Sequence, residues 1–385
     1  MSCAIQLAMR AAQDLKWKAH ACAPPRTPRA SVSCLLIVLA LCLVWPSQAS
    51  ADDVRVFKSP QARSAQLRIH GTTDLERFAA IITDYQRLHP GTEITYADVL
   101  AKDIYRQQLT AGNRRGKAAD VLISSGMDLQ FKLVNDGYAL PHRSSAVARL
   151  PSWSRWRDEV FGIGYEPVVI VYNQHLLAPE RVPRTRRQLL ALLRQHGAKL
   201  TGRVGMYDAA RSSVGYLLAT QDHQLGNMAS ALQDALGDYQ VVLEDRARIL
   251  LERVARGELV LAYNVLGSYA RARVDSGAPL GVVMPEDYTL MLLRTALIPR
   301  SASNAAEAGR FLDYLLSARG QAMLSQQTGV HPVIPAPGEA PLPPQLRPIP
   351  LGPGLLVYLD SLKRQQFLEA WRSTVLQSEQ PAATP

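Results

Sequence analysis

Between residues 66 and 270 the chain repeats one pattern: a short apolar run, a turn of small and hydroxyl-bearing residues, and an amphipathic stretch. That alternation restricts the fold more than any other feature, because strands separated by helices lie parallel in a sheet with helices against its faces. The first unit is 66–91. Leu67 and Ile69 alternate with polar neighbours, and Gly71 breaks the alternation. Leu75, Phe78, Ala79 and Ile82 then recur at helical spacing until His89-Pro90-Gly91. Thr72 and Thr73 sit in the turn, and Thr73 with Glu76 has the spacing of a capping box. Hydroxyls beside a helix start suit an anion or polar ligand. The same residues also serve as an ordinary cap.

Three further strand ends carry similar chemistry. A short strand at Glu93–Tyr96 and a helix at Lys102–Ala111 lead, through a basic loop at 113–117 read as a solvated turn, to Ala119–Ile123. That apolar run ends in Ser124-Ser125-Gly126, where Ser125 and Asp128 again have capping spacing. Phe161–Asn173, interrupted by Pro167, reads as a crossing into a second lobe. A helix at Arg186–His196 and a strand at Arg203–Tyr207 follow, and then Arg211, Ser212 and Ser213. Arg211 can pair bidentately with a carboxylate or phosphate, or remain an exposed loop arginine. After a helix at Glu244–Arg256, the strand Leu259–Tyr263 leads into Asn264, Ser268 and Tyr269. These tyrosines serve either a ligand or the core, with the hydroxyl on a backbone partner. In a parallel sheet the carboxyl ends of strands share one edge, where ligands bind. The chain returns along Leu290–Ile298 into a helix at Ala305–Gln326. Val330–Pro353 is proline-rich and reads as an extended wrap, and a last amphipathic helix from Gly354 to about Gln377 is expected to dock on the first lobe.

Residues 1–51 read as a signal peptide. Five Lys/Arg precede the apolar run Cys34–Trp45, and Ala49-Ser50-Ala51 has the small-x-small cleavage pattern. The run is shorter than the ~20 residues of a spanning helix. All four cysteines fall within this leader, so the mature chain has neither disulfide nor thiolate chemistry. With the leader's five Lys/Arg and one Asp removed, the formal charge drops from +10 to +6 and is interspersed. That mild excess suits an anionic solute and lacks the basic block of a nucleic-acid binder.

The order of these pieces resembles the periplasmic solute-binding proteins of ABC transporters, in the two-lobed class that includes ferric-ion binders. HGTTDLERF, SSGMDLQ, SSVGYLLATQD, YNVLGSYA and DYTL are most similar to a branch related to the phosphoglycerate transport regulatory protein. The resemblance implies an α/β, two-lobed periplasmic-binding-protein-like fold of type II, each lobe a mostly parallel sheet flanked by helices, with the ligand cleft between lobes. It implies residues 52–168 as the first part of lobe 1, 169–282 as lobe 2 and 283–330 as the return to lobe 1. A wrap at 331–353 and a helix and tail at 354–385 would complete the chain. Thr72, Thr73, Ser124 and Ser125 would face the cleft from one lobe, and Arg211, Ser212, Ser213, Tyr263, Asn264 and Ser268 from the other. Iron-binding members carry a tyrosine pair where this chain has Gly267 and Ser268, which cannot supply anionic oxygen ligands. A phosphorylated or carboxylate compound is therefore expected ahead of ferric ion, in a periplasmic monomer with no cofactor or metal, read by an inner-membrane permease or a sensor histidine kinase.

Other functions are less supported. An exported hydrolase lacks G-x-S-x-G, H-E-x-x-H, a P-loop and a complete G-x-G-x-x-G. An adhesive role accounts for the proline-rich stretch but not for four polar strand ends.

Overall fold

The alternation at 66–71 becomes a buried parallel strand, with Leu67 and Ile69 fully inside. The computed structural model describes residues 53–112, 114, 119–334 and 342–376. The leader, most of the basic loop, part of the proline-rich stretch and the end of the tail lie outside the described residues.

The first lobe opens on β1 (Asp53–Phe57), β2 (Ala65–Gly71), α1 (Leu75–Leu88), β3 (Thr92–Asp98), α2 (Ala101–Ala111), β4 (Val121–Ser124) and α3 (Met127–Asn135). β2 pairs parallel with both β3 and β4, while β1 covers the outer edge antiparallel to β3. Short β5 (Ala139–Leu140), α4 (Ser145–Ala148) and β6 (Arg155–Trp156) lead to the long crossing strand β7 (Val160–Asn173). Pro167 does not interrupt this strand. It sits opposite Met291 in the pairing with the return strand, and Gly267 packs against it, where a Cβ would come within 2.8 Å of the Pro167 carbonyl oxygen.

The second lobe contains α5 (Arg186–Leu200), β8 (Val204–Tyr207), α6 (Ser213–Gln224), α7 (Asn227–Asp238) and β9 (Val242–Glu244), followed by α8 (Ala247–Ala255), β10 (Leu261–Leu266), α9 (Gly267–Asp275) and β11 (Leu280–Val283). β10, β8 and β9 are parallel, and the second half of β7 closes their inner side antiparallel to β10. The return strand β12 (Thr289–Pro299) pairs antiparallel with β4 and with the first half of β7, so two adjacent long strands join the lobes. Each lobe is thus a parallel centre edged by antiparallel strands.

The expected single helix at Ala305–Gln326 is two, α10 (Ala305–Leu315) and α11 (Ala318–Thr328). They are separated because the Ser317 side chain caps a new start by accepting from the Gly320 N–H. The first-lobe core stacks Phe78 on Tyr96 and sets Tyr85 edge-on to Phe311. The proline-rich stretch is not all wrap: β13 (Leu346–Pro348) adds to β12 in parallel. A 3₁₀ turn (Pro353–Leu359) then leans on α3, and α12 (Ser361–Val375) packs on α7. The last helix therefore docks on the second lobe, not the first. Trp371 and Val375 complete that lobe's core with Leu189, Leu193 and Leu236.

Candidate functional site

Parallel strands present their carboxyl ends to one edge, and here both lobes turn that edge toward the same space. A cavity of about 140 Å³ lies there. From the first lobe it is lined by Thr72 and Asp74 after β2, Asp98 to Lys102 after β3, and Ser125 after β4. The second lobe supplies Tyr207 and Arg211 to Val214 around the end of β8, Asp245 to Arg248 after β9, and Leu266 and Tyr269 at the end of β10. The six strands of the two parallel centres, β2, β3, β4, β8, β9 and β10, thus all contribute their ends.

Hydroxyls in the wall are held in place by local bonds. The Thr72 Oγ1 accepts from the Ser125 backbone N–H at 3.1 Å and lies 3.3 Å from the Ser125 hydroxyl, tying two turns into one rim. Tyr269 reaches across from α9 to donate to the Thr72 carbonyl at 3.3 Å. Burial pushes the Tyr269 phenol up to about 12 and the Tyr207 phenol higher still, so both stay protonated donors at neutral pH. Ser212 caps α6 by accepting from the Gly215 N–H at 3.2 Å. The wall carries Lys102, Arg211, Arg246 and Arg248 against Asp74, Asp98 and Asp245, a small positive excess. Arg211 is exposed and only loosely engaged with Asp245 at 3.6 Å, which leaves its guanidinium able to swing.

Five of the ten residues singled out from the sequence meet at this cavity: Thr72, Ser125, Arg211, Ser212 and Ser213. The other five lie off its wall. Thr73 makes no capping box; Asp74 occupies the cap position, and the Thr73 hydroxyl accepts from Arg294 while its carbonyl accepts from Tyr96. Nor does Ser125 cap α3: Gly126 holds that position, and Ser124 turns inward to accept from the Gly126 N–H at 3.0 Å. Ser268 lies in the first turn of α9, its N–H donating to Glu166 at 3.2 Å. Glu166 on β7 also accepts from Arg294 on β12 at 2.7 Å, a buried ion pair between the two strands that join the lobes.

Tyr263 and Asn264 fall elsewhere because β10 does not end at Tyr263 but runs on to Leu266. Asn264 takes a left-handed conformation, φ 57°, at the irregularity in pairing with β7, a placement asparagine tolerates better than most residues. Its amide and the Tyr263 hydroxyl both donate to Asp222 at 2.6 Å, inside the second lobe. Arg186, fully buried, completes that cluster with Asp222, Asp287 and the face of Tyr288. Sequence reasoning passed over Asp98–Lys102 and Asp245–Arg248. The signal available was their position directly after strands, at 92–98 and 242–244. Among the described residues no group of three or more His, Cys, Asp and Glu side chains could hold a metal ion.

Comparison with known proteins bears on this geometry. A family model described as bacterial extracellular solute-binding protein matches residues 76–329. The substrate-binding protein of an ABC transporter from Agrobacterium tumefaciens is 33% identical, with a TM-score of 0.78, covering 84% of this chain and 98% of that one. Iron-bound HitA from Pseudomonas aeruginosa is similar at 17% identity and a TM-score of 0.63, over 80% of this chain and 99% of its own. AfuA from Actinobacillus pleuropneumoniae, with fructose-6-phosphate bound, is similar at 18% identity and a TM-score of 0.64, over 81% of this chain and 99% of its own. Below one-quarter identity these last two speak for the fold alone. A search of the curated proteins found no match.

Proposed function

The chain belongs to the bacterial extracellular solute-binding proteins, and we propose that it captures a small organic anion, phosphorylated or carboxylate, between its lobes and delivers it to an inner-membrane ABC permease. In this reading residues 1–51 direct export to the periplasm and are removed near Ala51. Residues 52–168 and 283–330 form one jaw, and 169–282 the other.

One observation carries the proposal: six strand ends from both lobes converge on a single cavity whose wall combines hydroxyls, a helix start and a small excess of cations. Thr72 and Ser125 would hold the solute from the first lobe, and Arg211, Ser212 and Ser213 from the second. A solute touching both jaws binds the closed arrangement better than the open one, and that difference drives closure. The long strands β7 and β12 are the natural hinge, with the Glu166–Arg294 pair fixing their register at the crossing.

Thermal-shift screening of the mature protein tests this, using phosphorylated acids, di- and tricarboxylates, phosphonates and ferric salts. A ligand at a hundredfold excess over its dissociation constant adds about 2.7 kcal/mol of apparent stability. Stabilisation by an anion, lost in Arg211→Ala, supports the reading; stabilisation by neutral solutes or ferric salts alone overturns it.

A further inference from the structure

The first turn of α9 belongs to the second lobe, yet each of its first three residues meets something outside that lobe's own sheet. Gly267 packs on Pro167 and the Ser268 N–H donates to Glu166, both on β7. That strand joins the lobes, so these two contacts need not break when the lobes part. Tyr269 reaches further. Its hydroxyl donates to the Thr72 carbonyl at 3.3 Å, and the Arg77 guanidinium lies over its ring, 5.5 Å from the centre. Thr72 precedes α1 and Arg77 lies in its first turn, both in the first lobe.

The surface that receives Tyr269 is fixed from within the first lobe. The Thr72 N–H donates to the Ile123 carbonyl at 3.1 Å, and the Thr72 hydroxyl accepts from the Ser125 N–H at 3.1 Å. The turn that offers its carbonyl is therefore tied to the end of β4. Arg77 is held by the last carbonyls of α11, its Nε donating to Gln327 at 3.3 Å and its Nη2 to Thr328 at 2.7 Å. Both partners stand in place before the phenol arrives, so little freedom is lost when it does.

A tyrosine in a core commonly sends its hydroxyl to a nearby backbone group of the same unit. Here donor and acceptor lie 197 residues apart in sequence and in different lobes. The bond and the ring contact can both exist only while the lobes are together.

We infer that Tyr269 is an interlobe latch, whose bond to the Thr72 carbonyl and contact with Arg77 raise the population of closed molecules whatever solute the cleft takes. It is a positioning residue: it brings the jaws together rather than choosing between solutes. The inference rests on two lobes that hinge at β7 and β12, and not on the charge of the solute. A chain that is already closed part of the time leaves less of the closure for the solute to drive. The latch thus strengthens the binding of every solute by the same factor.

Pulsed electron resonance on the mature chain with no solute added tests the latch, using spin labels at Thr110→Cys and Asp234→Cys, one exposed position on each lobe. Tyr269→Phe keeps the ring beneath Arg77 and removes only the hydroxyl, whereas Tyr269→Leu removes both contacts. Loss of one neutral hydrogen bond predicts that the ratio of short-distance to long-distance molecules falls about two- to tenfold in Tyr269→Phe. Loss of the ring contact as well predicts a larger fall in Tyr269→Leu. Tyr269→Phe, which leaves an aromatic ring in place, decides the matter should Tyr269→Leu fail to fold. A wild type with no short-distance population, or a distribution that Tyr269→Phe does not move toward longer distances, overturns the inference. Either result leaves the anion reading of the cleft standing, because that reading is decided by thermal shift with added solutes.

Discussion

Removing the Asp222 carboxylate should separate what holds the second lobe together from what holds the solute. Asp222 accepts from Tyr263 and Asn264 at 2.6 Å, from Tyr288 at 2.8 Å and from Arg186 at 3.3 Å. In Asp222→Ala three neutral donors lose a buried acceptor. The fully buried Arg186 keeps Asp287, the Tyr288 carbonyl and the Tyr263 hydroxyl but loses one of its two carboxylates. Breaking a buried pair from one side costs about 3–5 kcal/mol. In a chain of this size that corresponds to roughly 5–10 °C in melting temperature. Urea unfolding followed by circular dichroism measures the loss, and titration of the folded variant measures solute affinity. The expected result is a large drop in midpoint with affinity changed by no more than about twofold, as befits a cluster off the cavity wall. A loss below about 1 kcal/mol, in the range of a surface pair, would refute the cluster's structural role. A tenfold loss of affinity at unchanged stability would return Tyr263 and Asn264 to the binding site.

Other substitutions probe the remaining parts. Thr72→Ala with Ser125→Ala removes the rim hydroxyls from the first lobe and should weaken anion binding by about tenfold or more at little cost in stability, checked by calorimetry and thermal melting. Asp128→Asn should change stability with pH. The folded carboxyl titrates at about 6 against 3.8 when unfolded, so ionisation is penalised in the folded state and stability is lost as pH rises between the two values. The variant should therefore be more stable than wild type by on the order of 2–3 kcal/mol at pH 8 and level with it at pH 4, and a pH-independent difference would contradict this. Trp371→Ala opens a hole where α12 meets the second lobe and should cost about 3–5 kcal/mol in chemical unfolding, whereas docking of α12 on the first lobe alone would leave the second-lobe core intact.

The parallel units were legible because a buried strand and an amphipathic helix write different periods, as at Leu67–Ile69 and Leu75–Ile82. Thr72, Ser125 and Arg211–Ser213 could be found because hydroxyls directly after a strand stand out against its apolar run. Asp98, Lys102 and Asp245–Arg248 could not, because charges in a turn look the same whether they face solvent or a cleft. The end of β10 was misplaced by Asn264, which reads as a turn residue and instead takes its positive φ within the strand. The two joining strands were only partly visible. Pro167 suggests a break, and the partner strand that accommodates it lies more than a hundred residues away in sequence. The amphipathic face of the last helix announces that it docks but not on what, and Trp371 meets a surface formed by α7.

The central claim is that the two lobes close on an anionic solute. Because the four cysteines all lie within residues 1–51, a pair introduced at Thr110→Cys and Asp234→Cys provides the sole thiols of the mature chain, one exposed position on each lobe. Spin labels there report the interlobe distance by pulsed electron resonance, with and without the anion found by thermal shift. The account predicts that the anion moves the distribution to a shorter distance and that Arg211→Ala cancels the movement. An anion that binds tightly while the distance distribution stays unchanged would contradict it.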